Sequence, residues 1–166
     1  MKIVKFVITT MVGALLVFSC GNGDEVDKQK PGIGLMIPSG FPQNCDTLYF
    51  GEPFTFNALF SDNAALGSYS IDIHHNFDHH SHSTEVSICQ PDPDKAPVNP
   101  LVMIEDFDIP QGLTTFEPKQ VIIIPSGNDK GLYDEGDYHF FISLTDMEGW
   151  SAQKGLSIKL LHRSRK

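Results

Sequence analysis

Apolar side chains recur at every second position in several segments of the chain. The clearest alternation covers residues 54–60, 69–73 and 138–144. A period of two is typical of strands with one buried face, whereas an amphipathic helix has a period of 3.6. Val121–Ile124 is a continuous apolar run that ends at Pro125, which predicts a buried strand. No segment has a long helical period, so the pattern predicts an all-β domain.

Shorter patterns add four weaker strand predictions, at residues 33–37, 85–89, 101–106 and 155–161. Clusters of Gly, Pro, Asn and Asp separate the predicted strands, as expected of connecting turns. Seven or eight short strands with regular turns indicate an immunoglobulin-like antiparallel β-sandwich, and a small barrel is the alternative.

A local motif favours the sandwich. Residues 136–140 read Gly-Asp-Tyr-His-Phe, which resembles the start of strand F in immunoglobulin domains. There a tyrosine hydroxyl bonds to nearby backbone, and Tyr138 is the predicted tyrosine of this corner. Residues 144–151 are typical of the hairpin that follows, from strand F to strand G.

The N-terminus has the features of an export signal. Lys2 and Lys5 precede an uncharged, mostly apolar run at 6–18, which is shorter than the roughly 20 residues that span a membrane. The Ser-Cys-Gly that follows resembles a lipobox centred on Cys20. We therefore expect residues 1–19 to be a cleaved signal peptide and Cys20 to carry the lipid. The alternative is a plain signal peptide in which this cysteine is incidental.

The remaining chain divides into three parts. Residues 20–31 are polar with almost nothing to bury, which predicts a lipidated, flexible tether. The immunoglobulin-like domain then covers 32–162, and 163–166 form a basic tail. The lipid predicts a location in the cell envelope, most readily the outer membrane, facing the periplasm or the exterior.

The chain is strongly acidic, with a formal net charge of −9. Loss of Lys2 and Lys5 with the signal peptide takes the charge to −11. Nucleic-acid binding depends on neutralising phosphates, so this charge argues against nucleic acid as a partner. The expected partners are the membrane, through the lipid, and an outer-membrane protein.

Two cysteines remain once Cys20 is assigned to the lipid. Cys45 and Cys89 lie in the predicted domain. The compartment beyond the inner membrane permits disulfides, so a Cys45–Cys89 bridge is one prediction. Two buried free thiols are the other.

A histidine-rich segment follows the strand predicted at 69–73. Five of the seven histidines lie within nine residues, at positions 74, 75, 79, 80 and 82. Imidazole is the commonest metal ligand, and it favours zinc or copper among the common ions. Because the spacing matches no standard zinc motif, a structural histidine network and a pH sensor are alternative interpretations.

Strand parity predicts how two histidines meet. If Ile71 and Ile73 face the core, His74 faces outward, and the same parity turns His139 outward from the strand at 138–144. These strands are neighbours in an immunoglobulin-like sheet. We therefore expect His74 and His139 to oppose each other across the outer face, with Cβ atoms about 4.5–5.5 Å apart.

The loop after His75 supplies the other candidate ligands. His79, His80 or His82 would fold over the cross-strand pair. Asp78 would bind the metal directly or orient an imidazole through a hydrogen bond, and Asp72 has the same two options. Adjacent residues on a strand point to opposite faces, so the five histidines cannot all reach one ion.

The segment from Ser70 to Glu85, with the run His-His-Asn-Phe-Asp-His-His-Ser-His, resembles a family of uncharacterised exported lipoproteins with one immunoglobulin-like domain. The resemblance covers most of residues 32–161. It implies a sandwich and a lipid anchor, but no activity. His80-Ser81-His82 is also similar to the His-x-His ligands of copper/zinc superoxide dismutases. The other ligands of those enzymes have no evident counterpart, so their activity is not carried over.

Two functions follow from these observations. The first is a membrane-anchored protein that binds zinc or copper through the histidine cluster. The second is an accessory module without metal, which docks an outer-membrane protein or a glycan through its loops. We expect no enzymatic activity, because a Gly-x-Ser-x-Gly motif and a recognisable nucleophile–base pair are missing from the sequence.

Overall fold

The computed structural model describes residues 27–80, 84–85 and 89–163, and this part of the chain is all-β. The predicted signal peptide and Cys20 lie outside the described residues. The described strands, numbered in chain order, are β1 (Gly32–Gly34), β2 (Thr47–Tyr49), β3 (Pro53–Phe56), β4 (Leu59–Ser61), β5 (Leu66–His75), β6 (Val102–Asp108), β7 (Thr115–Phe116), β8 (Gln120–Ile123), β9 (Gly127–Asn128), β10 (Gly131–Leu132), β11 (Gly136–Asp146) and β12 (Ser151–Leu161).

One layer is a five-stranded sheet in the order β2-β12-β11-β5-β6. Its strands pair antiparallel, except that β2 runs parallel to β12 at one edge. The other layer consists of β1-β4-β7 and of β3-β8. The predicted immunoglobulin-like β-sandwich is confirmed.

Twelve strands are described, rather than the seven or eight predicted, partly because two strands are interrupted. Asn57 and Ala58 separate β3 from β4, and residues 117–119 separate β7 from β8. At the first break Asn57 bridges to Phe41 instead of continuing the ladder. The small hairpin β9-β10 adds two more strands.

The core contains the inward-facing side chains of both layers. Aromatic rings dominate its centre, with ring centroids 5.1 Å apart between Phe60 and Tyr69 and 5.9 Å apart between Phe56 and Phe140. Such pairs add to the free energy gained by burying apolar area. The strongest predicted alternation, in β5 and β11, matches this core, since Ile71, Ile73, Phe140 and Ile142 are all fully buried.

The predicted tyrosine corner is confirmed. The Tyr138 hydroxyl donates to the Asp134 carbonyl oxygen at 2.7 Å and accepts from the Leu101 amide at 3.2 Å. Burial raises the pKa of Tyr138 to about 12, so this hydroxyl keeps its proton at physiological pH. The corner joins the start of β11 to the segment that leads into β6.

Three strand predictions differ from the structure. The strand predicted at 33–37 is shorter, because β1 ends at Gly34. The apolar run at 121–124 is not buried throughout, because Val121 and Ile123 are 58% and 56% exposed on the outer face of β8. Only alternate side chains of this strand reach the core. In the predicted strand at 85–89, Glu85 and Cys89 lie in no strand, and the residues between them lie outside the description.

The connection from β5 to β6 crosses the outer face of the five-stranded sheet. The Asn76 amide donates to the Asp137 carbonyl oxygen at 2.8 Å, and the Thr84 amide donates to that of Gly155 at 3.0 Å. The connection therefore lies over β11 and β12. Within the described residues, no helix has the length and hydropathy required to cross a membrane.

A disulfide fastens this connection. Cys45 and Cys89 are bridged, with their Cα atoms 5.3 Å apart and 44 positions apart in sequence. The Cys45 amide also donates to the Ser157 carbonyl oxygen of β12 at 2.7 Å. The bridge therefore ties the middle of this connection, at Cys89, to the sheet that it covers.

Candidate metal centre

The two long central strands place His74 directly opposite His139. These residues are register partners in the ladder between β5 and β11. Their ring centroids lie 5.3 Å apart with the ring planes at 59°. The predicted cross-strand pair is therefore present in the structure.

His139 has the predicted parity but a different environment from the one expected. It lies on the outer side of its strand, yet it is only 1% exposed. The connection after β5 covers it, and its Nε2 donates to the His80 carbonyl oxygen at 3.1 Å. A residue that would face solvent on a bare sheet is thus enclosed by the loop.

His80 is the loop residue that joins the cross-strand pair. Its ring centroid lies 5.2 Å from that of His139 and 6.3 Å from that of His74, and its plane is within 6° of parallel to the His74 ring. The three side chains each offer one ring nitrogen, and these nitrogens lie within 4.8 Å of one another. We call these three residues the trihistidine cluster.

Each ring of the cluster has one nitrogen bound to an oxygen acceptor. Nδ1 of His74 lies 2.9 Å from an Asp72 carboxylate oxygen, and Nδ1 of His80 lies 2.5 Å from one of Asp78. Carboxylates and carbonyls accept hydrogen bonds, so the nitrogen facing each must carry the proton. In a neutral ring the lone pair is then on Nε2 of His74 and His80, and on Nδ1 of His139.

This arrangement is typical of histidines that bind metals. A metal-ligating imidazole almost always donates its second ring N–H to a carboxylate or a carbonyl, which fixes the tautomer and the ring orientation. The two carboxylates also add negative charge beside the cluster. The hydrogen bond from His80 lowers the pKa of Asp78, which favours the ionised carboxylate.

The other candidate ligands lie elsewhere. His79 adopts a positive φ of 51°, and its Nδ1 and Nε2 face carboxylate oxygens of Asp94 and Asp137 at 2.7 and 3.2 Å. The structure therefore does not bring His79 into the cluster. Asp78 contacts an imidazole and so takes the orienting position. His82 lies outside the described residues.

The two remaining histidines have separate surroundings. His75 packs against Phe77, with ring centroids 4.9 Å apart. His162 stacks on Phe50 at 4.6 Å and lies 2.9 Å from the Tyr133 carbonyl oxygen through Nε2. Both have the environment of structural histidines.

A second group of potential ligands was not predicted from the sequence. Asp27, Asp62 and Asp146 each offer a carboxylate oxygen, and these oxygens lie within 4.8 Å of one another. The three residues come from segments far apart in the chain. No local motif joins them, so only the tertiary structure reveals the group.

Comparison with known families gives one match. Residues 18–161 match a domain of unknown function, DUF4625. The chain belongs to this family. The match includes every described strand and the whole trihistidine cluster, but the description of the family gives no activity. No curated protein matches the chain in sequence.

Proposed function

We propose that this DUF4625 protein is a lipid-anchored protein of the bacterial cell envelope that binds zinc or copper through His74, His80 and His139. The observation that carries the proposal is the convergence of three imidazoles, each of which has an oxygen acceptor on one of its ring nitrogens. A purely structural histidine network does not need three ring nitrogens within 4.8 Å of one another.

The distances suit a transition metal after a small adjustment. Two nitrogens on one tetrahedral zinc lie about 3.4 Å apart, given Zn–N distances of about 2.0–2.1 Å. The nitrogens of the cluster lie within 4.8 Å, so they must approach one another by no more than about 1.4 Å. His80 has the freedom to do so, because it lies on the loop and its side chain is 35% exposed.

The three imidazoles of the cluster, all from described residues, fill three positions of a tetrahedral ion. In zinc proteins this ligand number accompanies a bound water or an exogenous ligand, and imidazole suits copper equally well. His74 and His80 are partly exposed, so a small ligand would reach the metal from solvent. The proposed role is therefore binding or sensing of a metal at the envelope.

The anchor is the second part of the proposal. The lipobox residues support attachment through Cys20, and the match to DUF4625 begins at Phe18, so it includes them. Asp27 contacts the domain through Asn63 and Trp150, so the chain between Cys20 and Asp27 sets the reach of the anchor, which is about 25 Å when extended. The metal centre would therefore work beside the membrane surface.

Metal analysis of the full-length protein, purified without a histidine tag, tests the metal site. We expect about one zinc or copper per chain, lost in His74→Ala and His139→Ala. His79→Ala is the matched control, since this residue lies in the same segment but outside the cluster. Full metal retention in both cluster variants would contradict the site. Metal-free protein that co-purifies with an outer-membrane protein despite chelator would favour the docking module.

The anchor has its own test. In a bacterial host, Cys20→Ser should move the protein from the membrane fraction to the soluble fraction and abolish incorporation of radiolabelled palmitate. Unchanged membrane association in this variant would contradict a lipid on Cys20.

A further inference from the structure

Three carboxylates converge at the end of the sandwich where the described N-terminal segment meets the domain. Asp27 lies in this segment, Asp62 directly follows β4, and Asp146 is the last residue of β11. One oxygen from each lies within 4.8 Å of the others. Like charges this close repel one another, so an arrangement of this kind needs compensation.

In each carboxylate, one oxygen accepts hydrogen bonds and the other does not. Oδ1 of Asp27 accepts from the Gln29 amide and the Asn63 side chain, both at 2.9 Å. Oδ2 of Asp62 accepts from the Ala64 amide, and Oδ1 of Asp146 accepts from the Trp150 amide, both at 2.8 Å. These bonds fix the orientation of all three groups.

The second oxygen of each carboxylate has no such partner. Oδ2 of Asp27, Oδ1 of Asp62 and Oδ2 of Asp146 are all buried and accept no hydrogen bond within the described structure. Asp146 gives the strongest evidence for a missing partner, because the whole residue is only 4% exposed. A buried carboxylate oxygen without a donor or a cation costs considerable free energy.

Protein cations do not supply the missing partner. None of the ion pairs formed among residues 27–80, 84–85 and 89–163 involves these three carboxylates. The hydrogen bonds from Gln29 and Asn63 lower the pKa of Asp27, which favours its charged form. Three carboxylates with fixed orientations therefore lie close together, and in the described part of the chain none of them forms an ion pair with a cationic side chain.

We infer that Asp27, Asp62 and Asp146 form a calcium site, separate from the trihistidine cluster. Carboxylate oxygens are hard ligands that suit Ca²⁺ rather than the softer transition metals. Ca²⁺ binds oxygen at about 2.3–2.6 Å, so oxygens on opposite sides of one ion lie up to about 5 Å apart. A spacing within 4.8 Å is compatible with this ion, and Ca²⁺ tolerates irregular ligand geometry, whereas Mg²⁺ demands a near-ideal octahedron.

The site would join three parts of the chain. Asp27 belongs to the segment that leads to the predicted anchor, and the other two ligands belong to the sandwich. The Trp150 indole N–H already donates to the Asp27 carbonyl oxygen at 2.9 Å. Calcium would therefore strengthen the attachment of the N-terminal segment to the domain and fix the direction in which the chain leaves it.

Trp150 provides the measurement, because it is the single tryptophan of the chain and contacts two of the proposed ligands. The full-length protein in detergent is stripped with chelator, dialysed, and titrated with Ca²⁺. We expect a saturable change in tryptophan emission, at about 0.1–1 mM if the affinity is that of extracellular calcium modules. Isothermal calorimetry should give one Ca²⁺ per chain.

Variants locate the site. Asp62→Asn and Asp146→Asn should each lower the Ca²⁺ affinity about tenfold or more, since each removes one anionic ligand. Asp106→Asn, on the exposed face of β6, is the control and should bind as the wild type does. Asp62 lies in a turn near the surface, so this variant remains informative if Asp146→Asn fails to fold by circular dichroism.

Three results would overturn the inference. The first is no saturable emission change and no binding heat up to about 10 mM Ca²⁺, well above the range of extracellular modules. The second is wild-type affinity in the folded Asp62→Asn variant. The third is equal affinity for Mg²⁺, which would contradict the assignment to calcium. Ca²⁺ binding that persists in His74→Ala would support a site independent of the trihistidine cluster.

Discussion

Removal of the Cys45–Cys89 disulfide should destabilise the domain and loosen its histidine loop. The bridge closes a loop of 44 residues. In the chain-entropy treatment, closing a loop of this length lowers the entropy of the unfolded chain by about 13 cal/mol/K. This corresponds to a stabilisation of about 4 kcal/mol at 25 °C. The double variant Cys45→Ala/Cys89→Ala leaves Cys20 unchanged and removes this constraint together with weak sulfur contacts at Asn44 and Ser157.

Urea unfolding followed by circular dichroism measures the effect. For a slope of about 2 kcal/mol per M, a loss of about 4 kcal/mol lowers the midpoint by about 2 M. Reduction of the wild-type disulfide should produce a similar shift. A loss below about 1 kcal/mol, with an unchanged slope, would refute the entropic reasoning.

The same variant should weaken metal binding. His80 lies between the end of β5 and the disulfide, and in the described part of that segment Thr84 adds a pair of hydrogen bonds with Gly155. Without the bridge, more of the ordering of this loop must occur when the metal binds, which lowers the affinity. Competition with a chromophoric chelator measures it. Equal metal affinity in the variant and the wild type would show that the bridge does not preorganise His80.

Three further predictions concern single side chains. Tyr138→Phe should cost about 2 kcal/mol in urea unfolding, because it removes two hydrogen bonds of a buried hydroxyl; a cost near zero would contradict the corner's role. Asp72→Asn should weaken metal binding about 10–100-fold in chelator competition, as loss of an orienting carboxylate does. Asp106→Asn is the control: this residue lies on the outer face of β6, two ladder positions from Asp72, and its substitution should leave the metal affinity unchanged. His79→Ala should retain full metal content by elemental analysis, and loss of metal would place this residue among the ligands.

The fold was largely predictable because burial on a sheet has a period of two. The parity of Ile71 and Ile73 fixed the face of His74, and that of Phe140 fixed the face of His139. Once the two strands were assigned as neighbours, their opposition followed from the sandwich architecture. The structure confirms both the register and the face.

The solvent exposure of a side chain was harder to predict than the face of the strand on which it lies. The run at 121–124 is apolar throughout, so its sequence does not distinguish a strand buried on both faces from one with Val121 and Ile123 exposed. His139 shows the opposite case. It occupies an outer position, but a long connection covers it, and sequence periodicity does not predict the path of a loop.

Which loop histidine joins His74 and His139 depends on the path of the same connection. His79 and His80 are adjacent, His79 has a positive φ, and of these two residues His80 is the one that reaches the cross-strand pair. Asp27, Asp62 and Asp146 could not be grouped from the sequence at all. They meet only because the N-terminal segment, the turn after β4 and the end of β11 lie at the same end of the sandwich.

X-ray absorption at the zinc or copper edge of the untagged full-length protein tests the trihistidine site most directly. The account predicts about three nitrogen ligands near 2.0 Å with the outer-shell scattering of imidazole rings, and loss of the bound metal in His74→Ala. A first shell of sulfur, a shell of oxygen without imidazole scattering, or protein that binds neither metal would contradict it.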